Sequence, residues 1–170
     1  MEKFRNKYRI DSTRLKGYDY SKAGAYYITV VTKKREHYLG EIKNKIFYPS
    51  ELGAVVESEW LKTPTIRQDM NIELDEYITM PNHFHGILFI GLNDYNYFPE
   101  FENHFAPQSK NLASVMRGFK SAVTSYARDH EIIFDWQERY HDHIIRDSGD
   151  LDRIRDYIRK NPEKWEEDNI

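Results

Sequence analysis

The feature that most constrains this chain is a pair of β-prone runs joined at Pro81-Asn82. Ile72 to Thr79 alternates apolar and polar residues, and His83-Phe84-His85-Gly86-Ile87-Leu88-Phe89-Ile90 is an apolar run rich in residues that favour strands. A Pro-Asn pair between such runs reads as a turn, so the middle of the chain is committed to sheet. Successive side chains of a strand point to opposite faces, which puts His83 and His85 on the same face, about 7 Å apart along it. Two neutral imidazoles placed side by side can hold a divalent metal and leave room for a substrate. The competing reading is two polar residues on a solvated face. A second triplet, His141-Asp142-His143, shows that the spacing is not specific by itself.

Around this centre the pattern alternates between strand and helix. Ala25 to Thr32 is a strand by its β-branched and aromatic content. Leu39–Ile42 and Asn44–Tyr48 read as a small hairpin over Lys43-Asn44. Ser50 is a candidate N-cap for a helix whose Leu52, Val55, Val56, Trp60 and Leu61 recur at helical spacing. Residues 91–109 lack periodicity and read as a long loop. Leu112 to Arg128 predicts a helix with Val115, Phe119, Val123 and Tyr126 on one stripe and Arg117 and Lys120 on its polar side. Arg139 to Arg146 reads as a short strand. Ser148-Gly149-Asp150 opens a last helix that Asn161-Pro162 is expected to end after Lys160. The order is βαββαβ with an extra helix, which suggests an α+β, ferredoxin-like (RRM-like) sheet carrying helices on one face, with the first and third strands at its centre.

A chain of 170 residues suits one domain, 1–170, with a proper core. No apolar stretch reaches the length of a membrane span, and residues 1–7 lack the apolar core of a signal peptide, so a cytoplasmic protein is expected. The absence of cysteine excludes disulfides, thiolate catalysis and thiolate metal sites. Net charge is −3, but it is segregated: residues 1–50 carry 12 Lys and Arg against 5 Asp and Glu, whereas residues 51–104 carry 2 against 10. A basic face on an acidic protein is compatible with phosphate binding, and equally with a mixed solvated surface. Residues 1–22 form a basic arm bearing tyrosines.

In the last helix Tyr157 and Asn161 are four residues apart, hence about 40° apart around the axis and about 6 Å along it. Tyr157 has an alternative role packing beside Ile154 and Ile158, and Asn161 has one as a C-cap before Pro162.

Four ordered stretches carry a resemblance. They are Arg14-Leu15-Lys16-Gly17-Tyr18-Asp19-Tyr20, Met80-Pro81-Asn82-His83-Phe84-His85-Gly86, Trp136 through Arg146, and Tyr157-Ile158-Arg159-Lys160-Asn161-Pro162. Over about Arg9 to Trp165 the chain resembles the single-domain HUH tyrosine transposases, and within them the REP-associated tyrosine transposase branch. The resemblance implies cleavage and rejoining of single-stranded DNA at hairpin-forming repeats. It implies Tyr157 as the nucleophile that forms a 5′-phosphotyrosine, and His83, His85 and Asn161 as ligands of Mg²⁺ or Mn²⁺. A tyrosine hydroxyl ordinarily titrates near pH 10 and needs activation to attack phosphorus. Arg9, Arg14, Lys16, Arg117 and Lys120 are the candidate phosphate contacts, weighed against solvated charge. No small-molecule cofactor and no membrane partner is implied, and the branch favours a monomer over a dimer. The rival reading is a DNA-binding descendant that acts on palindromic repeats without catalysis.

Overall fold

The structure, a computed structural model, describes residues 18–97 and 110–168, with side chains through Trp165, and a two-residue ladder between Lys3–Phe4 and Lys7–Tyr8. Its elements are β1 (Gly24–Thr32), a hairpin of β2 (Gly40–Lys43) and β3 (Ile46–Pro49), α1 (Glu51–Ile66), β4 (Ile72–Met80), β5 (His83–Ile90), α2 (Leu112–Asp129), β6 (Trp136–Ile145) and α3 (Ser148–Asp168). Four strands form one antiparallel sheet in the order β4-β5-β1-β6, so the first strand and the histidine strand are interior, as expected from the element order. The protein is thus an α+β fold with a four-stranded antiparallel sheet and three helices.

The two faces of the sheet are covered differently. Phe84, Leu88 and Ile90 of β5 and Tyr26, Ile28 and Val30 of β1 point into the main core. There they meet Leu52, Val56 and Trp60 of α1 and Val115, Phe119 and Val123 of α2. Each such side chain, removed from water, contributes about 1.5–3 kcal/mol before chain entropy is counted. Residues of opposite parity, Tyr27, Ile78, Ile87 and Phe89, face α3, which lays Leu151, Ile154 and Ile158 across them. Trp60 packs its ring 5.0 Å from that of Phe84, and it leaves no room beside Gly86, where a Cβ would come within 2.6 Å of Trp60 Cζ2.

The helix starts follow the caps. Ser50 Oγ accepts from the Gly53 amide at 3.1 Å, and Asn111 and Ser114 form a capping box at α2. Asp147 caps α3, which starts at Ser148, by accepting from the Asp150 amide.

Several expectations need correction. The hairpin turn is Asn44-Lys45, both at positive φ, as a two-residue turn matched to strand twist requires. β6 begins at Trp136, three residues before the expected start. α3 does not stop at Asn161-Pro162; it continues to Asp168 with Pro162 inside it. Residues 91–97 form a bonded turn, in which the Asn93 side-chain Nδ2 donates to the carbonyls of Met70 and Gly91; the rest of the expected loop, 98–109, lies outside the described residues. Tyr18 and Tyr20 of the arm pack on Tyr26 with ring centroids 6.3 and 6.1 Å away. No described helix is long and apolar enough to cross a membrane.

Candidate active site

The site forms where the open end of β5 meets the far half of α3. On β5, His83 stands opposite Val31 and His85 opposite Thr29 of β1. Their rings lie 4.6 Å apart, edge to face. On α3 the apolar stripe Leu151, Ile154, Ile158 continues at helical spacing to Asn161, which is 3% exposed. An amide therefore occupies a core position. Its Oδ1 lies 3.4 Å from His83 Nε2. Tyr157, one turn earlier, sits beside the stripe; its ring centroid is 5.6 Å from that of His85, and it is 42% exposed, open to a substrate.

The ring nitrogens are sorted by their neighbours. His83 Nδ1 is 2.7 Å from Asn82 Oδ1; with Nδ1–H donating to that carbonyl oxygen, the neutral ring carries its lone pair on Nε2. His85 Nδ1 is held by the hydroxyls of Tyr27 and Thr29, each at 2.8 Å. Burial, with His83 adding to it, pushes the His85 pKa down to about 3. The ring is thus neutral near pH 7 and its Nε2 is free to ligate once Nδ1 keeps the proton. Tyr27 has its own pKa pushed up to about 12, chiefly by burial, with the nearby Tyr157 contributing, so it stays a hydroxyl.

This donor set fits a divalent cation. In the neutral ring His83 Nε2 and Asn161 Oδ1 are two lone-pair atoms facing each other, an arrangement that a cation between them makes favourable. Ligand atoms about 2.0–2.2 Å from one ion lie roughly 3.0–3.5 Å apart at ordinary angles, which brackets the observed 3.4 Å. Among the described residues no three His, Asp or Glu side chains converge on a metal site. His83, His85 and Asn161 are the residues that could hold an ion here. Imidazole suits Mn²⁺ better than Mg²⁺.

The sequence reading missed what holds α3 in place. The ladder between β4 and β5 slips between Leu74 and Tyr77, and this bulge presents Asp75 and Glu76 to α3. Arg155 grips Asp75 with two bonds of 2.8 and 2.7 Å, and Arg159 grips Glu76 at 3.0 and 2.7 Å. These arginines lie two residues on either side of Tyr157. At the other end of the helix His143 Nε2 is 2.6 Å from Asp150 Oδ2, so this histidine of the second triplet ties β6 to the first turn of α3. Beyond Pro162, Trp165 stacks on His83 with centroids 6.3 Å apart and meets His37 edge-on at 5.3 Å. The break in alternation at Asp75-Glu76 and the i,i+4 pair Arg155/Arg159 were the available signals.

The candidate phosphate contacts are not gathered here. Arg117 and Lys120 belong to α2, on the face of the sheet opposite the histidines, where Lys120 Nζ donates to the Gln137 carbonyl at 2.8 Å. Arg9, Arg14 and Lys16 lie outside the described residues.

Comparison with known proteins gives this geometry a context. No family model matches the chain. An uncharacterized protein of Haemophilus influenzae is 38% identical over 166 residues, covering 94% of this chain and 91% of that one, which makes the two members of one family. A second Haemophilus influenzae protein, provisionally named a REP-associated tyrosine transposase, is 29% identical over 147 residues, 86% of this chain and 74% of its own. The chain is a relative of the REP-associated tyrosine transposases. A solved REP-associated tyrosine transposase bound to a REP hairpin shares the fold, with TM-score 0.54 and 21% identity over 96% of this chain and 74% of that chain. In this transposase relative the motifs His83-Phe84-His85 and Tyr157…Asn161, 74 residues apart in sequence counted from His83 to Tyr157, meet at one end of the sheet.

Proposed function

We propose that the protein cleaves and rejoins single-stranded DNA at hairpin-forming repeats, through a covalent bond to Tyr157. The observation that carries this reading is the convergence of Tyr157, His83, His85 and Asn161 on one partly open surface. The relation to REP-associated tyrosine transposases, one of which is solved with a REP hairpin, supplies the substrate class. We read residues 1–170 as one ferredoxin-like domain acting as a monomer in the cytoplasm, a reading that the strand order and the βαββαβ succession support.

In this reading Tyr157 Oη attacks the scissile phosphorus. A P–O bond forms to the tyrosine and the bond from phosphorus to the 3′ oxygen breaks. The hydroxyl proton leaves Oη, the departing 3′ oxygen takes up a proton, and the 5′ phosphate stays on the protein. Attack by a 3′-OH on the phosphotyrosine reverses the step and joins strands without ATP, because the ester keeps the bond energy. His83, His85 and Asn161 would hold a divalent cation, whose chemistry is to withdraw charge from the non-bridging oxygens and orient the phosphate. Tyr27 and Thr29 set the tautomer of His85 by occupying its Nδ1. Arg155 and Arg159 keep the backbone around Tyr157 pressed to the sheet edge, so the hydroxyl arrives oriented.

The test is a covalent-adduct assay with Mn²⁺ or Mg²⁺ and single-stranded hairpin oligonucleotides from DNA flanking the protein's own gene. A denaturation-resistant protein–DNA band, absent with Tyr157→Phe and with chelator, is the expected result. Tight binding with no band on any hairpin would leave a binding-only descendant as the function.

A further inference from the structure

A cavity of about 860 Å³ lies away from the histidines. It opens between α2, the first residues of β6 and the turn that follows β1, and its walls include Lys33, Lys34, Arg35 and Lys120. The turn is unusual. Lys34 and Arg35, neither of them glycine, take successive positive φ angles of 55° and 56°. Residues hold that conformation only where their surroundings impose it. Here the Lys33 amide donates to the Asp135 carbonyl, the Glu36 amide donates to the Lys33 carbonyl, and Thr32 Oγ1 donates to the Glu36 carbonyl. The outcome is two adjacent, exposed cations thrown outward, with no ion pair to either among the described residues. Lys120 forms the inner wall. One of its three N–H groups is committed to the Gln137 carbonyl, which leaves two for a ligand. Asp135 and Glu138 are the acidic members of the lining, and Asp135 is engaged by Lys33 at 3.2 Å.

The position of this turn joins the cavity to the candidate active site. Val31, two residues before Lys33, is the direct cross-strand partner of His83, and His37, two residues after Arg35, meets the Trp165 ring that stacks on His83. The turn therefore wraps the end of the sheet, from the α2 face to the histidine face. The aromatic residue in the lining, Trp136, is 5% exposed, so the cavity offers cations and hydroxyls to a ligand and no open ring on which a base could stack.

We propose that this basic groove is a contact surface for the DNA backbone, holding phosphates of the strand that continues from the scissile phosphate and doing so without reading sequence. The inference rests on the DNA reading given above and adds Lys34 and Arg35 to Lys120 as one groove. Lys34 and Arg35 carry it at the rim, and Lys120 carries it at the wall.

The experiment is a salt titration of binding, by fluorescence anisotropy, to labelled hairpin oligonucleotides bearing a single-stranded tail. Two unrelated tail sequences are compared for the parent and for Lys34→Gln/Arg35→Gln. Thermal melting of the double variant checks the fold, and Lys34→Gln alone serves if the pair melts early. Each phosphate contact contributes about 0.7 to the slope of log K against log salt for a single strand. Loss of two contacts is therefore expected to flatten the slope by about 1.4 and to weaken both sequences equally. An unchanged slope and affinity would overturn the groove, as would weakening confined to one sequence. Either result leaves the adduct assay, and with it the DNA-cleavage reading, untouched.

Discussion

Tyr157 and Asn161 show how a single helix face can hold two different environments. Asn161 occupies the next position of a stripe that is otherwise Leu and Ile, and a buried amide there is costly unless something pairs with it. Tyr157 lies off the stripe and stays open. We expect Tyr157→Phe to abolish the covalent adduct while hairpin affinity changes less than about twofold, read by anisotropy. Tyr27 and Thr29 act at one remove, through His85 Nδ1. Outer partners of metal-bound histidines typically matter about 10- to 100-fold. With Thr29 still present, Tyr27→Phe is expected at the lower end of that range in Mn²⁺ affinity, measured calorimetrically, with adduct formation rescued by excess metal. His85 also gives a pH signature. Its folded pKa of about 3 lies well below the ordinary 6.5, so the unfolded chain binds more protons between those values. Its contribution to stability is complete above about pH 6.5 and declines as pH falls toward 3. The melting temperature of metal-free protein should drop from pH 6 to 4, and His85→Gln should flatten that interval.

At the scale of elements, the question is what keeps α3 on the sheet. Its apolar stripe covers a smaller cluster than the one beneath α1 and α2, and the arginine–carboxylate grips at the β4 bulge supplement it. Arg155 lowers the Asp75 pKa by its paired hydrogen bonds, so that grip persists through the usual carboxylate range and fails only in stronger acid, as Asp75 protonates. Arg155→Ala with Arg159→Ala is expected to raise hydrogen exchange in α3, leave β5 and β1 protected, and slow adduct formation more than it weakens DNA binding. Equal loss of protection throughout the sheet would refute a local role. Gly86 belongs to the opposite face. A methyl group there meets Trp60 and Phe84 side chains at 2.6 and 2.9 Å, so Gly86→Ala should cost about 1–3 kcal/mol by denaturant unfolding, the usual cost of overpacking. The glycine after His85 is thus a packing requirement of the main core.

For the whole molecule, the sheet separates stability from chemistry. The large core lies on the α1–α2 side and contains none of the four proposed site residues. Removing a metal should therefore leave the protein folded. Adding Mn²⁺ at about 100 times its Kd should stabilise by about 2.7 kcal/mol, the increment expected for a ligand that binds only the folded state. This increment should vanish in His83→Ala, with calorimetric melting as the measure. The charge segregation, +7 over residues 1–50 and −8 over 51–104, resolves the same way. Asp75 and Glu76 are spent on arginines of α3, whereas Lys34 and Arg35 face outward at the rim of the groove.

Local pattern was enough to read the succession of strands and helices, the parity that puts His83 and His85 on one face, and the one-turn spacing of Tyr157 and Asn161. All of these depend on residues near one another in the chain, where the periods of 2 and 3.6 govern. The same locality misled at Pro162, because tertiary packing, including Ile158 on Ile87 before the proline and Trp165 on His83 after it, carries the helix past a residue that would end an isolated one. Register, the bulge at Asp75-Glu76, the placement of α2 behind the sheet and the grip of Tyr27 and Thr29 on His85 were decided by tertiary structure. Each depends on which distant segments pair, and pairing is settled by burial summed over the whole core, a quantity no short stretch of sequence contains.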